Sequence, residues 1–216
     1  MHEVLLGGGA AALAGSFAAL WVRASWLRRR RTLPLRVGDR APALEPLMTL
    51  EGSRFDKASL RDAACLVIVF MSNTCPGVKA YDARLKALAD RYAPAGVRFV
   101  GVNSVHDGNY PSESLEGMAT AARARSLPFP YLKDQDQELA RAFGALCTPH
   151  IFLCDRDHRL RYRGRIDDAL LESRAKKHYL RDAIEDVLHH RVVSLSETAP
   201  LGCAIEIIGR PITLVA

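Results

Sequence analysis

Phe70-Met71-Ser72-Asn73-Thr74-Cys75-Pro76-Gly77-Val78-Lys79 joins the end of an apolar run to the start of a helical pattern. The preceding run, Cys65–Phe70, is continuously apolar, which is typical of a strand buried on both faces. Apolar side chains then recur at helical spacing over residues 75–92. The sequence therefore predicts a buried strand, a short polar turn and a helix that opens at Cys75.

A cysteine at the start of a helix has a distinctive electrostatic environment. Unpaired backbone N–H groups and the positive end of the helix dipole both favour thiolate over thiol. Because the thiolate is the nucleophilic form, Cys75 is a candidate reactive residue. Pro76 fits the first turn, where a missing N–H costs little. The alternative interpretation is that Cys75 is only a small apolar residue that caps the helix.

A second motif, Cys147-Thr148-Pro149-His150, stands just before another apolar run. A Thr-Pro pair at such a junction is a good candidate for a cis peptide bond, because cis prolines occur in tight, specified turns. Outside the two motifs, the pattern predicts further elements, with Asp134 as a candidate helix N-cap. The predicted strands are 97–102, 151–154 and 160–162, and the predicted helices are 112–126, 136–143 and 179–189. This order predicts an α/β fold with a central mixed sheet flanked by helices.

Taken together, the motifs resemble the thioredoxin-like superfamily, and more closely its redoxin, or peroxiredoxin-like, branch. The resemblance covers about residues 37–207. It rests on Asn73-Thr74-Cys75-Pro76, Cys147-Thr148-Pro149-His150, the run Tyr162-Arg163-Gly164-Arg165-Ile166-Asp167-Asp168, and Gly202-Cys203.

The resemblance implies a catalytic group made of Cys75 as the nucleophile and Thr148 and Pro149 as the loop beside its sulfur. Val78 stands where thioredoxin has its resolving cysteine. A second thiol must therefore come from elsewhere, and Cys147 and Cys203 are both candidates. Cys203 qualifies only if the tail folds back over the site.

Two further residues of the first motif are expected to support Cys75. Ser72 fills the hydroxyl position of the peroxiredoxin pattern, and Thr74 replaces the tryptophan that precedes the nucleophile in thioredoxin. Ile68 stands where peroxiredoxins have proline, and Pro149 aligns with the place of their peroxide-polarising arginine. Arg141, Arg163 and Arg165 are the candidates to replace that arginine.

The leading hypothesis is thus a thiol–disulfide oxidoreductase acting on a protein or small-molecule disulfide, with an external thiol as reductant. A weak thiol-dependent peroxidase is an alternative. A third hypothesis is a copper-handling or docking module that uses Cys75, Cys147 and His150 as soft ligands. The first two functions require neither cofactor nor metal.

The remaining residues with chemical potential have simpler interpretations. Cys65 and Cys154 lie within apolar runs and are expected to be packing residues. His150 is expected to be hydrogen-bonded, with proton transfer as its functional alternative. Asp167 and Asp168 are expected to cap a loop.

The N-terminal segment has the pattern of a membrane anchor. Residues 4–22 carry no charge, and Trp21, Trp26 and four consecutive arginines, Arg28 to Arg31, follow at the C-terminal edge. We predict a single-pass anchor with its basic flank over residues 1–31. The positive-inside rule then places the domain on the cytoplasmic side. A signal peptide, with export to the periplasm, is the alternative.

The rest of the chain divides into a linker or lead-in strand at 32–46, a redoxin domain at 47–191 and a tail at 192–216 that carries Cys203. The chain has a net charge of +6, but six arginines lie before Val37 and leave the remainder within one charge of neutrality. This balance gives no support to a nucleic-acid-binding face.

Overall fold

The computed structural model describes residues 35–44, 47–108 and 110–208. The predicted membrane anchor and its basic flank, 1–31, lie outside these residues. Within the described ranges, no helix combines the length and apolar character that crossing a bilayer requires.

The regular elements follow the predicted alternation of strands and helices. The strands are β1 (Cys65–Phe70), β2 (Val97–Asn103), β3 (Tyr131–Lys133), β4 (Cys147–Thr148), β5 (His150–Asp155), β6 (Leu160–Gly164) and β7 (Cys203–Ala204). The α-helices are α1 (Pro76–Tyr92), α2 (Leu115–Arg125), α3 (Glu138–Phe143) and α4 (Tyr179–Leu188). Short 3-10 helices occupy Lys57–Leu60, Ala93–Ala95, Pro111–Glu113 and Glu172–Arg174.

The main sheet has five strands in the order β3-β2-β1-β5-β6. β1, β2 and β3 are parallel, whereas β5 runs antiparallel to both β1 and β6. The predicted mixed sheet is therefore confirmed. Strand β1 is central and buried along its whole length, which explains its continuous apolar sequence.

Alternate residues of β1 point into two apolar layers on opposite faces of the sheet. Val67 and Val69 pack with α1 and α4, whereas Ile68 and Phe70 pack with α3 and the segment that precedes β1. Helices thus cover both faces, and the turn after β1 emerges at the carboxyl edge of the sheet.

Three local predictions are corrected by the structure. Strand β3 lies in a stretch where the sequence pattern predicted no strand. It spans only three residues, which are too few to show the alternation of apolar and polar side chains that marks a strand. The helix predicted at 112–126 is a 3-10 turn followed by α2, which Ser114 caps through the N–H of Gly117. The N-cap residue of α3 is Gln137 and not the predicted Asp134, although the Asp134 carboxylate accepts from the N–H groups of Leu139 and Ala140 in the first turn.

The lead-in and the tail both pack on the domain. Leu35 and Leu44 are buried in the lead-in, which also pairs with β6 through the N–H of Gly38 and the carbonyl of Leu160. The tail (here, residues 192–208) passes beside β6 and then forms β7 with β4.

Candidate active site

Cys75 is the N-cap residue of α1, and Pro76 is the first helical residue. Because Phe70 pairs with His150 in the sheet, the turn after β1 lies beside the start of β5. The Thr148-Pro149 peptide bond at that start is cis. Cys75 Sγ lies 2.9 Å from the carbonyl oxygen of Thr148. The fold therefore brings the two sequence motifs into direct contact.

The first turn of α1 approaches the cis-proline segment closely at Gly77. A Cβ at this position would lie 3.4 Å from Cδ of Pro149 and 3.5 Å from Cys75 Sγ. These are ordinary van der Waals distances, so the helix start lies in contact with the proline ring without requiring glycine.

The tail adds a third segment to the site. Strand β7 pairs antiparallel with β4, with Cys203 opposite Thr148 and Ala204 opposite Cys147. The thiol and the backbone N–H of Cys203 both act on the Cys75 thiol, lowering its pKa. The tail therefore folds back over the site, which is the condition on which the Cys203 candidate depended.

Contacts on both sides of Cys203 hold the tail in this position. On one side, Gly202 packs on the cis-proline segment so tightly that a Cβ would lie 2.0 Å from the carbonyl oxygen of Thr148. On the other, Ile205 is buried in the core and its N–H donates to the carbonyl of Leu146. The side-chain amide of Gln137 donates to the carbonyl of Glu206 and accepts from the N–H of Ile208, both at 2.8 Å.

The hydrogen bonds around Cys75 decide its charge. Burial raises its pKa, and the Thr148 carbonyl can accept only from the protonated thiol. These effects are outweighed by donors to the sulfur: the Thr148 hydroxyl, the Cys203 thiol and N–H, and the N–H of Val78 in the first turn of α1. The pKa of Cys75 is consequently lowered from its ordinary value of 9.0.

Ser72 and Thr74 shape the turn that precedes Cys75. The Ser72 hydroxyl accepts from the N–H of Cys75 at 3.2 Å and lies 3.5 Å from the Thr148 hydroxyl. Thr74 donates through both its N–H, at 2.8 Å, and its hydroxyl, at 2.6 Å, to the carboxylate of Glu113.

Glu113 is the residue of this site that the sequence did not reveal. It is fully buried, and its carboxylate also accepts from the N–H of Asn73, at 3.0 Å, and the side-chain amide of Asn103, at 2.7 Å. In the sequence it stands in a polar turn before a helix, which is the ordinary setting of an exposed acid. No local pattern distinguishes it, because its donors come from β2 and from the turn after β1.

The remaining cysteines have environments that disfavour the thiolate. Burial raises the pKa of Cys147 to about 11, with the negative charges of Cys75 and Cys203 adding to the effect. Its thiol faces the carbonyl of Pro149, at 3.8 Å. Burial also raises the pKa of Cys65 and Cys154 to about 12. Both of these lie fully inside the sheet, as expected of packing residues.

His150 is a buried, hydrogen-bonded core residue. Its Nδ1 atom accepts from the N–H of Leu146 at 3.3 Å, and its ring lies 4.4 Å from that of Phe152. Burial, assisted by the charge of Arg163, lowers its pKa to about 4. The imidazole is therefore neutral at neutral pH.

This environment predicts an acid-sensitive fold. Between about pH 6.5 and pH 4 the unfolded chain binds a proton at His150 that the folded chain refuses, so the free energy of unfolding falls as the pH is lowered through this window. The full loss is about 3 kcal/mol, from the size of the shift. Urea unfolding of the wild type and of His150→Asn at several pH values measures it. The variant keeps an acceptor for Leu146 and should lose this part of the pH dependence; equal slopes would contradict the assignment.

The two aspartates after β6 act as loop caps. Asp168 accepts from the N–H groups of Lys176 and Lys177. Asp167 is buried and binds the guanidinium of Arg84 and the hydroxyl of Tyr81. Neither contact involves the Cys75 sulfur.

The three candidate arginines are engaged away from Cys75. Arg141 donates to the carbonyl of Asp136, Arg163 to the carboxylate of Glu197, and Arg165 to the carbonyl of Asp168. No replacement for the peroxide-polarising arginine emerges from these contacts. Among residues 35–44, 47–108 and 110–208, no three His, Cys, Asp or Glu side chains converge as metal ligands, so the copper hypothesis gains no support.

Comparisons with known proteins agree with this fold. A solved structure of a hypothetical protein from Sinorhizobium meliloti is 34% identical, with a TM-score of 0.75, over 82% of this chain and 98% of that one. A Mycobacterium tuberculosis protein named as a candidate peroxiredoxin is 28% identical over 53% of this chain and 68% of its own length. A candidate thiol:disulfide interchange protein of the DsbE type from Chlorobium tepidum shares the fold, with 19% identity and a TM-score of 0.56 over 71% of this chain and 99% of that one.

The family model described as Redoxin matches residues 36–177, which is more than half of the chain and includes both motifs of the site. The fold is therefore thioredoxin-like, and the chain belongs to the redoxin family.

Proposed function

We propose that this protein is a thiol–disulfide oxidoreductase in which Cys75 is the nucleophile and Cys203 is the resolving thiol. The observation that supports the proposal is the pairing of β7 with β4, in which Cys203 lies opposite Thr148, the residue whose carbonyl oxygen is 2.9 Å from the Cys75 sulfur. Membership of the redoxin family supports the same class of chemistry.

The reaction has two exchange steps. The Cys75 thiolate attacks one sulfur of a substrate disulfide, the substrate S–S bond breaks, and the first substrate thiol leaves. Cys203 then attacks the Cys75 sulfur and releases the second substrate thiol, which takes the proton from Cys203. The substrate disulfide gains two electrons, and the protein is left with a Cys75–Cys203 disulfide that an external thiol must reduce.

Cys203 is favoured over Cys147 as the resolving residue by the direction of its thiol. The Cys203 thiol lowers the pKa of Cys75, whereas the Cys147 thiol faces the carbonyl of Pro149. Cys203 is also exposed, and Cys147 is buried. Cys203 would therefore reach the Cys75 sulfur without rearrangement of the cis-proline segment.

Peroxidase activity is the second candidate. It is favoured by the burial of Cys75, which is only 1% exposed beneath the tail, because a small oxidant reaches such a sulfur more readily than a polypeptide disulfide does. Peroxide would oxidise the Cys75 thiolate to the sulfenic acid with release of water. Cys203 would then condense with the sulfenic acid, forming the same disulfide and releasing a second water.

The test is to oxidise the reduced full-length chain and to locate its disulfides by peptide mass spectrometry. One arm uses oxidised glutathione and the other uses hydrogen peroxide, so that the faster oxidant distinguishes the two functions. We expect a Cys75–Cys203 disulfide in the wild type and in Cys147→Ser, and no intramolecular disulfide of Cys75 in Cys203→Ser.

Two results would contradict the proposal. A Cys75–Cys147 disulfide in the wild type would assign the resolving role to Cys147. Failure of both oxidants to form any disulfide at Cys75 would remove the two-cysteine cycle altogether.

A further inference from the structure

The strand pairing and exposure of the tail show where the oxidised protein can meet its reductant. We infer that the external thiol attacks the sulfur of Cys203, so that electrons enter this protein through its tail and not at Cys75. This inference rests on the proposed function, since it concerns the Cys75–Cys203 disulfide.

The paired tail blocks the approach of a polypeptide partner to Cys75. An extended chain can add to an unpaired strand through main-chain hydrogen bonds. At the cis-proline segment this position is taken, because β7 already pairs with β4. Gly202 packs against the Thr148 carbonyl with no space for even a Cβ. A polypeptide reductant therefore has no strand to join beside Cys75 while the tail is in place.

The attacking sulfur itself also has easier access to Cys203 than to Cys75. Cys75 is only 1% exposed, whereas Cys203 is the exposed member of the pair. An incoming thiol thus meets Cys203 first.

The environment of Cys75 also stabilises it as the leaving group. Thiol–disulfide exchange is faster when the departing thiol has the lower pKa. When Cys203 is bonded to the attacking thiol, the Thr148 hydroxyl and the N–H of Val78 still lower the pKa of Cys75. Attack at Cys203 therefore expels Cys75 as a stabilised thiolate.

The reduction then balances as follows. A thiolate RS⁻ bonds to the Cys203 sulfur, the bond between Cys203 and Cys75 breaks, and Cys75 leaves as a thiolate. A second thiolate attacks the R sulfur of the mixed disulfide, releasing RSSR and the Cys203 thiolate, which takes up a proton. The protein gains two electrons, and two thiols become one disulfide.

The experiment begins with full-length protein that has been oxidised and shown by mass spectrometry to hold the Cys75–Cys203 disulfide. One arm adds glutathione, and the other adds a thioredoxin whose second active-site cysteine is replaced by serine, so that its mixed disulfide persists. Samples are quenched with acid after short times, free thiols are alkylated, and the adduct is located by peptide mapping. We expect the adduct on Cys203 to exceed that on Cys75 at least about tenfold.

A second variant tests the role of the tail. In Gly202→Ala the added Cβ must push β7 away from Thr148, so Cys75 becomes accessible and the ratio of adducts should fall toward one. Leu201→Ala alters the exposed neighbour without this clash and should keep the wild-type ratio.

Each outcome decides between the claims. An adduct at Cys203 with either reagent supports the inference and identifies the thiol source as small-molecule or protein. An adduct mainly on Cys75, no adduct with either thiol, or an unchanged ratio in Gly202→Ala overturns the inference and leaves the proposed function standing. Failure to form the disulfide at the start overturns the proposed function, and the inference with it.

Discussion

Replacing Cys75 by serine is expected to abolish the intramolecular disulfide and to slow the first reaction with oxidised glutathione at pH 7 by roughly an order of magnitude. An ordinary thiol is only a few per cent ionised at this pH, whereas the donors around Cys75 lower its pKa and raise its thiolate fraction. Serine offers no sulfur for exchange. The residual reaction would come from Cys203, an exposed thiol without its partner.

The measurement is the rate of mixed-disulfide formation as a function of pH. For the wild type we expect the rate to stay high below the pH at which an ordinary thiol loses its charge. In Cys75→Ser the rate should rise only as an ordinary thiol ionises. Cys147→Ser is the matched control, because it removes a neighbouring thiol whose pKa is raised to about 11 and which is therefore unreactive at neutral pH.

A wild-type rate that follows the ionisation of an ordinary thiol would contradict this prediction, because Cys75 would then have no activated thiolate. Equal rates in the wild type and in Cys75→Ser would assign the observed reaction to Cys203 instead.

Replacing Glu113 by glutamine is expected to destabilise the fold by about 2–4 kcal/mol, although it changes neither size nor shape. The carboxylate accepts hydrogen bonds from four donors on Asn73, Thr74 and Asn103. Each carboxylate oxygen of Glu113 accepts from two of these donors. In glutamine one of the two oxygens is replaced by an NH₂ group, so the two donors that faced that oxygen would face another donor. Since the site is fully buried, water cannot easily replace the lost bonds.

Urea unfolding compares this variant with Glu116→Gln, which removes an exposed carboxylate from the first turn of α2. The control should change the free energy of unfolding by less than about 0.5 kcal/mol. Because Glu113 holds the turn that carries Cys75, its variant should also lower the rate of disulfide formation. A loss of stability no larger than that of the control would show that the buried bonds contribute little.

Several features of this protein follow from local sequence alone. The continuous apolar run of β1 requires burial on both faces, and the next residues continue at helical spacing with proline at a permitted position. The start of α1 at Cys75 therefore depends only on neighbours in the chain. The same is true of the hydrogen bonds of the Asp134 carboxylate, whose partners in α3 lie five and six residues away.

Features with distant partners could not be read from the sequence. Glu113 contacts residues of the turn after β1 that lie about forty positions earlier. Strand β3 is stabilised by pairing with β2 and is too short to show a period. Cys203 was identifiable as a candidate, but whether it reaches Cys75 depends on the path of the tail.

The sequence by itself determined the alternation of the longer strands and helices, the central buried strand and the position of Cys75 at the start of α1, because these depend on patterns within a few residues. Tertiary structure alone decided that the tail reaches the segment beside Cys75. Ile205 enters the core, Gln137 holds the backbone beyond it, and Gly202 lets β7 pack on Thr148. These contacts join segments far apart in the chain, and only packing brings them together.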